Sequence, residues 1–208
     1  MNAARAIAKI HALPDSWVRV ERIHRVRGGL RLDLSVCRGR RGSIRARWIL
    51  TCHGVREAHV DDLDGGGLQL WDARHPAARQ YTDSIVRVAC SPADLLSTIG
   101  LLFHVHKATV DDWIPFHRYL GTDVPAPSVG DPLRLRLRGP RFLMTRYARA
   151  LRKAGVPCEM KKGSTRRGTP SPLRVIHFGN SYVVARSFEM EEVAKPLANK
   201  QRGFRGRE

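Results

Sequence analysis

Residues 132–139 read Pro-Leu-Arg-Leu-Arg-Leu-Arg-Gly. Leucine and arginine alternate without a break, and in an extended strand successive side chains point to opposite faces. Leu133, Leu135 and Leu137 fall on one face, and Arg134, Arg136 and Arg138 on the other. The leucine face has to be buried. The arginine face then meets water, an acidic protein or a phosphate chain. The stretch predicts a half-buried strand that opens a basic unit.

The residues that follow extend the pattern. Residues 140–154 form a predicted helix that Gly155 stops, with Leu143, Tyr147 and Leu151 recurring every four positions. Arg141, Arg149, Arg152 and Lys153 occupy much of its remaining surface. A short strand at 156–160 leads into a polar, basic loop at 161–172 that carries Lys161, Lys162, Arg166 and Arg167. Strands at 173–178 and 181–188 flank Gly179-Asn180, a strong hairpin signal. A last, weak helix is expected over 189–199, broken at Pro196. The order is β-α-β-β-β.

Towards the N-terminus, residues 120–132 are rich in proline, glycine and small residues and read as a linker. Before it the chain looks β-rich. Residues 17–26 and 30–37 flank Gly28-Gly29 as a hairpin, with Leu30, Leu32, Leu34 and Val36 on one face. Further strands are expected at 44–52, 68–71 and 84–89. A helix follows, with Ser91 as its cap, Pro92 at its first position and Leu95, Leu96, Ile99, Leu102 and Phe103 as its apolar stripe. Trp113, Phe116 and Tyr119 close the unit and fold back on its core.

Composition sets the function classes. The chain has 208 residues, 42% of them hydrophobic, enough for a folded core but with no run long enough to span a membrane. The N-terminus lacks the apolar segment of a secretory signal, so a cytoplasmic protein is expected. Cys37, Cys52, Cys90 and Cys158 are widely spaced without a CxxC pair, which predicts buried thiols rather than a zinc or redox site. Net charge is +18, and a polyanionic partner is the usual reason for such an excess. Of the 37 basic residues 30 are arginine, a skew that a GC-rich genome also produces. Distribution says more: residues 1–120 carry +6 and residues 121–208 carry +12.

Catalytic and metal constellations are thin. His104 and His106 lie two apart on a predicted helix and point to different sides, and no spacing ties the other histidines to carboxylates. Glu159-Met160-Lys161 matches the E-x-K of Mg²⁺-dependent nucleases, but the nearest upstream acid, Asp131, is separated from it by a strand and a helix. There is no GxSxG elbow, P-loop or GxGxxG turn.

His75-Pro76, Tyr81, the strand and capped helix after them, and Asp112-Trp113-Ile114-Pro115-Phe116-His117-Arg118-Tyr119-Leu120 together resemble immunity-type domains of bacterial polymorphic toxin systems. The resemblance covers residues 17–120 and implies a non-catalytic protein that blocks a partner toxin. It carries over no functional residues. The helix-and-strand order of the second unit is similar to that of double-stranded-RNA-binding domains, in topology alone.

The expected fold is α+β. An antiparallel sheet packs on one main helix over residues 1–120, residues 121–131 form a linker, a smaller basic α+β module (β-α-β-β-β) occupies 132–194, and 195–208 is a basic tail. The expected function is non-catalytic binding in the cytoplasm, without metal, cofactor or membrane. The partner is an acidic protein such as a toxin, or alternatively nucleic acid. A metal-dependent nuclease ranks third. Arg134, Arg136, Arg138, Arg149, Arg152, Lys153, Lys161, Lys162, Arg166 and Arg167 are the candidate binding residues.

Overall fold

A computed structural model describes residues 2–39, 42–60, 66–121, 134–163 and 172–193. The chain is α+β with antiparallel strand pairing, divided into two compact units: residues 1–71 with 174–208, and residues 72–173. In chain order the elements are α1 (Ala3–His11), β1 (Ser16–Val26), β2 (Gly29–Arg38), β3 (Ser43–His53), β4 (Glu57–His59), β5 (Leu68–Trp71), α2 (Pro76–Thr82), β6 (Ile85–Cys90), α3 (Leu95–Val110), β7 (Leu135–Pro140), α4 (Arg141–Lys153), β8 (Cys158–Lys162), β9 (Arg174–Phe178), β10 (Ser181–Ala185) and β11 (Ser187–Val193). A 3-10 turn, Phe116–Tyr119, lies between α3 and β7.

The first unit is built from two four-stranded sheets, ordered β1-β2-β3-β11 and β4-β10-β9-β5. Period-2 alternation supplies their shared core. Val18, Val20, Leu32, Leu34, Trp48 and Leu50 of one sheet meet Leu68, Ile176, Phe178 and Val183 of the other. The expected hairpins form: Val26 pairs with Gly29 across a turn in which Gly28 has φ +79°, and Phe178 pairs with Ser181 across Gly179-Asn180. Helix α1 was not anticipated. Its signal is legible in retrospect, because Ala3, Ala6, Ile7 and Ile10 share one buried face and the Asn2 side chain accepts from the Ala4 N–H.

The second unit is a three-stranded sheet, ordered β7-β6-β8, with α3 and α4 packed on one side. Its core joins Val86, Val88, Leu135 and Leu137 to Leu102, Leu143, Met144, Tyr147 and Leu151. At Gly139 the approach is so close that a Cβ would lie 2.7 Å from Tyr119 Cδ1. The first turn of α4 is held from a distance. Its cap position, Pro140, offers no side-chain acceptor, and Asp83 Oδ2 instead accepts from the Phe142 N–H at 2.7 Å. The Arg79 guanidinium lies 3.7 Å from Asp83 and 4.2 Å from the Phe142 ring centroid. Asp83→Ala is expected to cost about 1–2 kcal/mol in urea unfolding, with Asp83→Asn recovering much of it because an acceptor remains.

Several expectations need correction. The division near residue 121 does not match the packing, because β6 from the first half pairs with β7 and β8 from the second. Proline and glycine mark exposed chain, whereas strand pairing follows matching apolar faces, which local composition does not encode. Counted by structural unit, each unit carries +9, so the charge asymmetry along the sequence is not one between units. Residues 181–188 are not one strand: the chain breaks at Arg186, and β10 and β11 join different sheets. Residues 187–193 form that strand instead of a helix. Their alternation buries Phe188 and Met190 against β3. Asp94, not Ser91, caps α3. The helix buries Thr98, Leu102, His106 and Val110 and leaves Leu96 81% and Phe103 45% exposed, because two buried polar residues turn the inner face away from the leucine-rich stripe. Most of the linker, the centre of the 161–172 loop and the tail lie outside the described residues.

Candidate anion-binding site

Residues 135–139 lie in β7, Leu133 is outside the described residues, and the two faces separate as the alternation requires. Leu135 and Leu137 are buried against the helices, while Arg134, Arg136 and Arg138 are exposed. Register then decides what stands beside them. Arg138 is opposite Arg87 of β6, which is opposite Lys161 of β8. One step along, Arg136 is opposite Ala89, which is opposite Glu159. The open face of this sheet therefore presents cations in a row across three strands about 4.8 Å apart, and along β7 at a repeat of about 6.8 Å. The face lines a depression of ≈ 790 Å³ with small Ala89 in its floor.

Among the described residues lining the depression, Glu159 is the sole carboxylate, and Lys161 holds it at 3.1 Å. Arg87, Arg134, Arg136 and Arg138 form no ion pair with any described residue. In the first unit's sheet Glu189 lies 3.6 Å from His53, and Glu192 pairs with Lys9. Like charges directly opposite in a sheet are destabilising.

The ten predicted residues do not form one surface. Arg134, Arg136, Arg138 and Lys161 gather in the depression. Lys162 is opposite Val86 in the ladder and so belongs to the helix side of the sheet. Arg149, Arg152 and Lys153 lie on the solvent face of α4, which packs on that same helix side. Their expected continuity with the β7 arginines is thus corrected, since the sheet intervenes. Arg166 and Arg167 are outside the described residues. Arg87 was missed. Its strand shows the right alternation, Val86-Arg87-Val88, but only the register places it between two other cations.

Other candidates resolve into structure. His75 Nδ1 accepts from the Ala77 N–H at the start of α2, and the His75 ring meets Trp113 edge-on at 4.5 Å. Both residues thus have structural tasks here. Tyr147 and Phe178 are fully buried core residues. His106 is buried, with Nδ1 2.7 Å from the Tyr147 hydroxyl and Nε2 2.5 Å from the Ile114 carbonyl. Glu159 and Lys161 share the open face, and Asp131 lies outside the described residues. Among the described residues no three His, Cys, Asp or Glu side chains gather as metal ligands, and no helix is long and apolar enough to cross a membrane. No protein-family model matches the chain, and no curated protein or solved structure matches it.

Proposed function

We propose that the protein is a non-catalytic nucleic-acid-binding protein that holds a sugar–phosphate backbone on the open face of β7-β6-β8. The observation that carries this reading is the cationic row Arg138–Arg87–Lys161, extended by Arg136 and Arg134, which among the described lining residues meets one carboxylate, Glu159 on Lys161. Guanidinium forks suit phosphate oxygens. Protein–protein interfaces rest on buried aromatic and aliphatic anchors. Ala89 is a poor anchor and the described residues of the face include no aromatic ring, which favours a phosphate chain over an acidic protein. The same lack of aromatic and amide side chains supports contacts that position without reading bases. The reading takes the cytoplasm as the working compartment.

The test compares the wild type with an Arg87→Gln/Arg136→Gln/Arg138→Gln variant. Both are titrated with single- and double-stranded DNA and RNA, and with polyglutamate, at several salt concentrations. The variant is expected to keep its fold and to lose about 0.7–0.9 in the slope of log affinity against log salt per phosphate contact removed. Equal binding by the two proteins would remove the face from function. Tight binding of polyglutamate with none of nucleic acid would overturn the reading in favour of an acidic protein partner such as a toxin.

A further inference from the structure

The second unit holds a pair of thiols that the sequence spacing conceals. Cys90 closes β6, Cys158 opens β8, and the two are direct partners in the antiparallel ladder. Partners in such a ladder have Cα atoms about 4.5 or 5.5 Å apart, depending on their place in the hydrogen-bond pattern. Both values lie inside the range of about 4.4–6.8 Å that a disulfide spans. The side chains also agree in direction. Cys90 shares the helix-side face with Val86 and Val88, and both cysteines pack against the same core cluster.

We propose that Cys90 and Cys158 form a reversible cross-strand disulfide, a thiol-oxidation site within the sheet that carries the basic face. The inference stands independently of nucleic-acid binding.

Access is asymmetric. Cys90 is 4% exposed, whereas Cys158 is half-buried at the edge strand, its thiol 3.6 Å from the Ala148 carbonyl. Burial, with the neighbouring Cys158 adding to it, pushes the Cys90 thiol up to about 11. Cys158 is therefore the point of entry. With glutathione disulfide as oxidant, the Cys158 thiolate attacks one glutathione sulfur, forms a mixed disulfide and expels one glutathione. Cys90 then gives up its proton and attacks the Cys158 sulfur, which expels the second glutathione. Two protein thiols are oxidised by two electrons, one glutathione disulfide is reduced to two glutathiones, and the two protons pass to them.

The other cysteines serve as internal controls. Cys37 stands opposite Trp17 and Ile44, and Cys52 opposite Leu30 and Phe188. Neither has a thiol across the ladder. The bond would clip the central strand, with Arg87, to the edge strand, with Lys161, and would close the chain from 91 to 157 into a loop.

The experiment equilibrates the full chain with glutathione and glutathione disulfide, quenches, denatures, alkylates and maps peptides. Two of the four thiols are expected to be lost, with the Cys90 and Cys158 peptides joined and Cys37 and Cys52 alkylated. The oxidised protein is expected to melt roughly 10 °C or more above the reduced form, and dithiothreitol should reverse the shift. Cys158→Ser, a change at a half-buried edge position, should keep its three thiols and show no shift. Retention of all four thiols, a stable glutathione adduct on Cys158, a Cys158–Cys158 dimer, or undiminished thiol loss in Cys158→Ser would each overturn the proposal.

Discussion

Deleting the Tyr147 side chain is expected to cost the second unit about 3–5 kcal/mol, a large part of the stability of an ordinary domain. The ring is fully buried between α3, α4 and the sheet. Its hydroxyl adds a polar link. The Ile114 carbonyl can only accept, so His106 carries its proton on Nε2 and its Nδ1 accepts from the Tyr147 O–H. Tyr147→Phe keeps the ring and strands that acceptor, at a cost of about 1–3 kcal/mol. The two variants therefore separate packing from hydrogen bonding. A pH arm tests the link from its other end. Burial holds His106 below its usual pKa of 6.5, against the bond to Ile114 that favours the charged form. Just below pH 6.5 the unfolded chain then binds the proton that the folded unit refuses. The stability this group contributes is present above pH 6.5 and is lost as pH falls through the lower, folded pKa. His106→Leu should flatten that slope. Urea unfolding followed by hydrogen exchange at β6 and α4 amides reads all three variants. Tyr147→Phe as stable as wild type, or an unchanged acid slope in His106→Leu, would show that the link contributes nothing.

Arg87→Glu is expected to weaken nucleic-acid binding about a hundredfold or more while making the free protein more stable. Arg87 is the middle of the cationic row, flanked by Arg138 and Lys161. Reversal removes a charge-assisted contact worth about 1.5–3 kcal/mol and sets a carboxylate among the remaining phosphate ligands. In the unliganded sheet the same change turns two repulsive cross-strand pairs into two attractive ones, each worth roughly 0.2–1 kcal/mol. The gain should shrink in high salt. The matched control is Arg149→Gln/Arg152→Gln/Lys153→Gln on α4, across the sheet, which should leave the salt slope of binding unchanged. If the α4 variant loses as much affinity as Arg87→Glu, the open face is not the binding site.

Much of this fold is legible residue by residue. Alternation at 134–138 sorts the leucines from the arginines correctly, and the glycine hairpins and the apolar stripe of α4 fall where the sequence puts them, within two residues. What is not legible is long-range choice. Nothing local says that β7 pairs with Val86–Cys90, so neither Arg87 nor the facing thiols could be found. Nothing local says that Arg186 ends one strand and starts another in a different sheet, so an alternating glutamate-rich segment reads as a weak helix. Buried Thr98 and His106 rotate α3 away from its apolar stripe because their polar atoms find partners inside, Thr98 on the Asp94 carbonyl and His106 on Tyr147 and Ile114. Helical periodicity assumes that only apolar side chains go in.

The return of β9, β10 and β11 to the first unit has a consequence for a chain made from its N-terminus. When residue 71 leaves the ribosome, β3 is paired with β2 alone, and its other edge waits for β11. The second unit is continuous and has its three strands as soon as β8 emerges. It can close while the first unit is still incomplete, which inverts the usual N-terminal-first order. At ordinary rates of synthesis the wait from residue 71 to residue 193 is on the order of 10 s. For that time an unpaired strand edge is open to strands of neighbouring nascent chains. Exposed Arg45 and Arg47 place on it the charge that discourages such pairing.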